Sequence, residues 1–220
     1  MEIKAVIFDL DGTLTDTLTD LTNSVNHALS EFDFPQRSAD EVRSFVGNGV
    51  RRLINLSVPY GTPENICEDC LGVFKKHYEK NSCVNTKPYD GVCEILEYLK
   101  NKGIKTAVVT NKVHWAAEEI VGHFFEGFID VTAGQVDGAA QKPEPDGIFY
   151  VLKKLGISKE NAVYVGDSEV DCLTAHNAGI PCIGVTWGFR DREVLELNGA
   201  EFIVDVPAEI AKCICLSNKG

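Results

Sequence analysis

The chain has 220 residues, enough for one large domain or for a domain carrying a smaller insert, and 44% hydrophobic with 25% charged residues is an ordinary globular composition. A formal charge of −12 lacks the basic footprint that binding to a phosphate backbone requires, so nucleic acid is not an expected partner. No apolar run is long enough for a membrane span, and an acidic protein that handles an anion needs local positive charge, which points to a small substrate.

The start, Met1-Glu2-Ile3-Lys4, enters a strand pattern at once and lacks the basic opening of a signal peptide, which predicts a cytoplasmic protein with reduced thiols. Of the eight cysteines, Cys67-x-x-Cys70 and Cys213-x-Cys215 have chelating spacing but no histidine at finger-like distance. They read as small buried hydrophobes or surface thiols.

Residues 3–9 read as a buried strand that runs into Asp9-Leu10-Asp11-Gly12-Thr13. Two carboxylates at i and i+2 on the end of a buried strand are costly unless a cation or strong donors compensate them. Ligand sites of open parallel sheets lie at the carboxyl ends of strands, so the pair is a candidate for Mg²⁺ coordination combined with nucleophilic chemistry. The plainer alternative is a strand that ends in solvated aspartates before a turn.

Helical spacing follows, with Leu18, Leu21, Val25, Leu29 and Phe32 on one stripe. Ser38-Ala39-Asp40-Glu41 has the form of a capping box, and Thr62-Pro63 predicts a helix with proline in its first position. Residues 15–82 thus read as an all-helical block with no convincing strand. From Pro88 on, helices are expected near 90–102, 114–124, 146–155 and 168–178, alternating with strands at 105–110, 128–132, 162–166, 182–185 and 202–204. The expected fold is α/β, a doubly wound Rossmann-like parallel sheet core of residues 1–14 and 83–220, with an all-helical cap domain, 15–82, inserted after the first strand.

Several strand ends carry polar residues: Asp9 and Asp11, then Thr110-Asn111-Lys112, then Gly166-Asp167-Ser168 with Asp171 one turn on. Lys142-Pro143-Glu144-Pro145 precedes the helix at 146–155. Singly, Thr110-Asn111 and Asp167-Ser168 could be helix caps and Lys142 a solvated lysine. Together they put Asp, Thr, Lys and Asp on one sheet edge.

In this set the chain resembles the haloacid dehalogenase superfamily, over nearly all its residues. The family's motif Asp-x-Asp-x-Thr stands as Asp9-Leu10-Asp11-Gly12-Thr13, its strand-end Thr/Ser as Thr110, its lysine as Lys142, and Gly-Asp-x-x-x-Asp as Gly166-Asp167-Ser168-Glu169-Val170-Asp171. The resemblance implies an aspartyl-phosphate on Asp9, Asp11 as general acid and base, and Mg²⁺ held by Asp9, Asp167 and the Asp11 carbonyl. Thr110, Asn111 and Lys142 would bind the phosphoryl oxygens. Thr13, Gly166, Ser168 and Asp171 would support them, Asp171 through Asp167 or Lys142.

In the insert, Gly47-Asn48-Gly49 followed by Arg51 and Arg52 is either an anion-binding helix start or a glycine-punctuated junction with surface arginines. This stretch, with Thr110-Asn111-Lys112 and Pro88-Tyr89-Asp90-Gly91, looks like the phosphoglycolate phosphatases. That likeness implies hydrolysis of a small phosphomonoester, with 2-phosphoglycolate as leading candidate and Gly47, Asn48, Gly49 and Arg51 touching the substrate. The similar β-phosphoglucomutases commonly carry Glu where Gly166 stands and Ser where Thr110 stands. A pyrophosphatase or nucleotidase, a phospho-acceptor module and a catalytically silent binding protein are the further alternatives, and the oligomeric state is left open.

Overall fold

In the computed structural model, which describes residues 2–217, the first element is the short strand β1 (Ala5–Phe8). A two-residue strand β2 (Thr15–Asp16) follows, then four helices: α1 (Leu18–Ser30), α2 (Ala39–Phe45), α3 (Gly49–Ser57) and α4 (Glu64–Asn81). The chain returns through β3 (Lys87–Pro88) into α5 (Val92–Asn101), β4 (Lys105–Val113), α6 (His114–Phe124) and β5 (Val131–Gln135). The remainder alternates α7 (Asp146–Leu155), β6 (Ala162–Gly166), α8 (Glu169–Ala178), β7 (Cys182–Val185), α9 (Arg192–Leu197), β8 (Phe202–Val204) and α10 (Ile210–Ser217).

Six of the strands form one parallel sheet in the order β5-β4-β1-β6-β7-β8. The unbroken apolar character of β1 follows from its place between β4 and β6, where both faces are covered. Val6 and Phe8 point to one face and enter a core with Leu96, Leu99, Ile120 and Ile214. Ala5 and Ile7 point to the other and meet Ile148, Val151, Ala175 and Leu195. From β1 the chain crosses to β4 and β5 on one side, and from β5 it crosses back past β1 to β6, β7 and β8 on the other, so a crevice opens at the carboxyl ends of β1, β4 and β6. Helices α1–α4 build a third core of their own, around Val25, Leu29, Ile54 and Phe74, which also takes in Ala116 and Phe189.

The structure departs from the sequence expectations in four places. The strand expected at 128–132 lies at Val131–Gln135, because Phe128 and Ile129 pack onto the core from a turn in which the Phe128 N–H donates to the Phe125 carbonyl. Strand β4 runs on to Val113 with a register shift against β5 between Val109 and Val113. Pro63 stands before α4, not inside it. The stretch read as strandless contains β2, which pairs antiparallel with β3, Thr15 opposite Pro88 and Asp16 opposite Lys87. A two-residue ribbon has no periodicity from which to be read. The capping box at Ser38 is present, with Ser38 Oγ accepting from the Glu41 N–H.

Asp20, in the first turn of α1, fastens the returning chain. Its carboxylate accepts from the Asn85 N–H at 2.8 Å, Asn85 Nδ2 at 2.8 Å, the Thr86 N–H at 2.8 Å and Thr86 Oγ1 at 2.9 Å. Burial raises the carboxyl pKa, but the bonds from Asn85 and Thr86 outweigh it, and the net result lies below the ordinary aspartate value. Asp20→Asn turns an NH₂ group onto these donors and should cost about 1–3 kcal/mol in urea unfolding at pH 7. A group whose folded pKa is depressed stabilises above its unfolded pKa and loses that contribution as pH falls through the folded value. The gap between wild type and variant should therefore narrow as the pH is lowered below the ordinary aspartate range; a gap of constant size would contradict this account.

Candidate active site

The end of β1 places Asp9, buried, beside the ends of β4 and β6; its N–H donates to the Val165 carbonyl at 2.9 Å. Its Oδ1 forms an ion pair with Lys142 Nζ at 2.9 Å and meets no other donor among the described residues. Burial first, then the charges of Asp171 and Asp11, push the Asp9 carboxyl up to about 6 against the lowering pull of Lys142.

Asp167 follows β6 and is buried. Its Oδ1 accepts from Thr13 Oγ1 at 2.8 Å and its Oδ2 from the Phe189 N–H at 2.8 Å. Burial and the neighbouring Asp171 and Asp9 push its carboxyl up to about 8. Gly12, at φ +86°, is required twice over, since a Cβ there would fall 2.4 Å from Asp167 Oδ2.

Asp171, one turn into α8, has both oxygens occupied. Its Oδ1 accepts from Lys142 Nζ at 2.7 Å, and its Oδ2 from the Asp167 N–H, the Ser168 N–H and Ser168 Oγ at 3.1, 3.0 and 2.7 Å. Gly166 has no side chain because a Cβ would meet Asp171 Cγ at 2.3 Å. Lys142 also donates to the Tyr164 hydroxyl at 3.0 Å, and that hydroxyl donates to the Val109 carbonyl. Burial alone would favour a neutral amine, but Asp171 and Asp9 hold the Lys142 ammonium charged.

One ligand atom from each of Asp9, Asp167 and Asp171 lies within 4.8 Å of the others. Asp171 is held by the Lys142 ammonium, two main-chain amides and the Ser168 hydroxyl, whereas Asp167 accepts one hydrogen bond on each oxygen and Asp9 Oδ1 meets only Lys142, so Asp9 and Asp167 keep lone pairs for a cation. A buried oxygen whose one cationic partner is shared with Asp171, and two carboxyls with raised pKa values, are what an oxygen-liganded divalent ion would relieve. The residues fit such an ion.

Asp11 is half-buried and accepts from Lys112 Nζ at 2.9 and 3.2 Å. Lys112 Nζ also donates to the Tyr78 hydroxyl at 2.6 Å, which links Asp11 to α4. The Thr110 hydroxyl accepts from the Lys112 N–H at 3.3 Å, within the register shift of β4, where side chains are re-aimed toward the crevice. Asn111 clamps two loops: its Oδ1 accepts from the Lys142 N–H at 2.8 Å, and its Nδ2 donates to the Lys142 and Gly47 carbonyls, both at 3.0 Å.

The sequence-derived residues Asp9, Asp11, Thr110, Asn111, Asp167 and Ser168 line one cleft together with Gly47 and Gly49. Lys142, Asp171, Thr13 and Gly166 stand directly behind it. Asn48 and Arg51 are not brought in. They line an outer groove, and Arg51 forms an exposed ion pair with Glu68, because α3 turns Leu53 and Ile54 inward and the arginines outward. Lys112, Tyr78, Lys75 and Arg190 are cleft residues that sequence reasoning did not assign. Only Lys112 had a signal, its adjacency to Thr110-Asn111. No helix among the described residues is long and apolar enough to cross a membrane.

A family model described as haloacid dehalogenase-like hydrolase matches residues 6–185. Phosphoglycolate phosphatase 1 of Pseudomonas aeruginosa is 32% identical over 220 residues, covering 96% of this chain and 79% of its own. Phosphoglycolate phosphatase of Aquifex aeolicus is 32% identical over 213 residues, covering 96% of each. The crystal structure of a predicted phosphoglycolate phosphatase from Haemophilus somnus superposes with a TM-score of 0.90 at 31% identity, over 97% of this chain and 98% of that one. With its acidic cluster at the carboxyl edge of a parallel sheet, the chain belongs to the haloacid dehalogenase-like hydrolases.

Proposed function

We propose that the protein is a cytoplasmic, Mg²⁺-dependent phosphomonoesterase that hydrolyses a small anionic metabolite, 2-phosphoglycolate first among the candidates. The observation that carries this reading is the buried Asp9 carboxylate, paired through Oδ1 with Lys142 alone and standing beside Asp167. The relatives named phosphoglycolate phosphatase support the choice of substrate. The same reading divides the chain into a core, residues 1–14 and 83–220, and a helical cap, 15–82, that closes over the substrate.

In this mechanism Asp9 attacks phosphorus and an aspartyl-phosphate forms as the ester oxygen leaves with a proton from Asp11. Asp11, now a carboxylate, takes a proton from the water that attacks the phosphorus, and inorganic phosphate departs from Asp9. Lys112 and Tyr78 orient Asp11 for both transfers. Lys142 and Thr110 stabilise the charge on the moving phosphoryl oxygens. Asp9, Asp167 and the Asp11 carbonyl would hold Mg²⁺, which supplies charge neutralisation between the carboxylate and the phosphate dianion. Asp171 positions Lys142 and the amides of Asp167 and Ser168.

Gly166 supports hydrolysis over a mutase reaction, because a glutamate at that position would collide with Asp171. Of the cations lining the cleft, Lys112 is engaged by Asp11 and Arg190 by Glu169, whereas Lys75 of α4 has no ion-pair partner among the described residues. Lys75 therefore takes the carboxylate-recognition role that the sequence suggested for Arg51.

The first test is phosphate release, with Mg²⁺ and with EDTA, from 2-phosphoglycolate, β-glucose 1-phosphate, pyrophosphate and nucleoside monophosphates. Metal-dependent release with preference for 2-phosphoglycolate is expected; conversion of glucose 1-phosphate to its 6-isomer without phosphate release would assign the protein to the mutases. Asp9→Asn should cut turnover by more than about a thousandfold with an unchanged circular dichroism spectrum, and near-normal activity would end the nucleophile assignment. Lys75→Met should raise KM for 2-phosphoglycolate about tenfold with little effect on p-nitrophenyl phosphate, while Arg51→Ala changes neither. Equal effects of Lys75→Met on both substrates would remove its specificity role.

A further inference from the structure

After β7 the chain forms a segment, residues 187–190, that touches the Gly12–Thr13 turn, Asp167 and helix α2. The Trp187 indole N–H donates to the Thr13 carbonyl at 3.0 Å. A Cβ at Gly188 would lie 2.3 Å from Asp167 Cβ and 2.4 Å from the Gly12 carbonyl oxygen, so this backbone is packed directly on both acidic loops. The Phe189 N–H holds Asp167 Oδ2, while the Phe189 side chain is buried in the core of α1–α4.

Two arginines then exchange backbone bonds between this segment and the end of α2. Arg43 Nε donates to the Phe189 carbonyl at 2.8 Å and an Arg43 terminal nitrogen to the Gly188 carbonyl at 2.9 Å. In return, Arg190 donates to the Arg43 carbonyl at 2.9 Å and to the Val46 carbonyl at 2.8 Å, and its Nε bonds Glu169 at 3.1 Å. Four charge-assisted bonds to main-chain carbonyls, running both ways, join α2 to the segment that supports Asp167.

We propose that Arg43 and Arg190 are positioning residues, a two-way latch that sets the Asp167 carboxylate through residues 187–190, so that only the closed cap presents a complete metal site. Neither arginine touches the reacting atoms. When the latch opens, the 188 and 189 carbonyls lose their donors and the Phe189 N–H is free to leave Asp167 Oδ2. The inference rests on the reading of Asp167 as a metal ligand.

The test is a Mg²⁺ titration followed by thermal unfolding, with amide exchange at Phe189 and steady-state kinetics, on wild type, Arg43→Met, Arg190→Met, the double variant and Arg43→Lys. Each single Met variant should need at least about fivefold more Mg²⁺ for half of its rise in Tm and lose about tenfold in kcat, with KM for p-nitrophenyl phosphate changed less than about twofold. The double variant should fall little further than the worse single one, because both arginines hold one segment. Arg43→Lys, which keeps one donor, should recover part of the loss, and it takes the place of any Met variant that fails to fold. Phe189 exchange should quicken in the same order. Arg192→Met, which breaks an exposed pair with Asp205, should match wild type throughout. Mg²⁺ curves and Phe189 exchange equal to wild type in the latch variants would overturn the proposal, whatever happens to kcat. A Tm rise that survives in Asp167→Asn would instead overturn the metal-ligand reading, and Phe189 exchange alone would then decide whether the latch holds the segment.

Discussion

The site depends on one buried ammonium. Lys142 Nζ stands between Asp171 and Asp9, with its remaining direction given to Tyr164. Without it, three buried carboxylates with ligand atoms inside 4.8 Å would face one another unneutralised. Removing one partner of such a buried pair typically costs about 3–5 kcal/mol, because the other is left charged and unpaired. The Lys142 pairing is nevertheless incomplete by one charge or more, a deficit that a bound cation would fill. Stability and proposed chemistry draw on the same imbalance.

The sheet brings these charges together with little loop. Reversal of the winding direction at β1 puts the ends of β1, β4 and β6 side by side, so that Asp9, Thr110 and Asp167 meet directly at the strand ends. Lys142 arrives from the loop before α7 and is tied down by the two-way bond between its main chain and the Asn111 amide. The helical insert contributes Tyr78, which reaches Lys112 and through it Asp11. The proposed acid and base is thus held from the core and from the insert at once.

Most of the sheet and its acidic edge could be read from residue patterns, because a buried strand that ends in Asp-x-Asp or Gly-Asp shows its electrostatic cost locally. Strands β6, β7 and β8 and helices α6 and α7 occupy the residues expected for them. What escaped was set by tertiary partners. Lys112 matters through Asp11, 101 positions away, and Arg43 through carbonyls 145 and 146 positions away; no local pattern carries such pairings. Arg51 shows the converse. Its position after two glycines suggested an anion site, but the rotation of α3 is decided by Leu53 and Ile54, which seek the core and turn Arg51 toward Glu68. Strand β5 lies three residues beyond its expected place because Phe128 and Ile129 pack against the core from the turn before it and have a strand's apolar character without its pairing.

The β2–β3 ribbon has an evolutionary consequence. Because Thr15 pairs with Pro88 and Asp16 with Lys87, the two crossings between sheet and insert lie within one strand spacing of each other. To the sheet, everything between them is a hairpin loop, and the entropy of closing a loop grows only slowly with its length. A cassette of different size or helix number can be spliced at that neck with little strain on the strands. Exchange of the cassette at that neck would change what stands above the acidic edge without moving the strands that carry it.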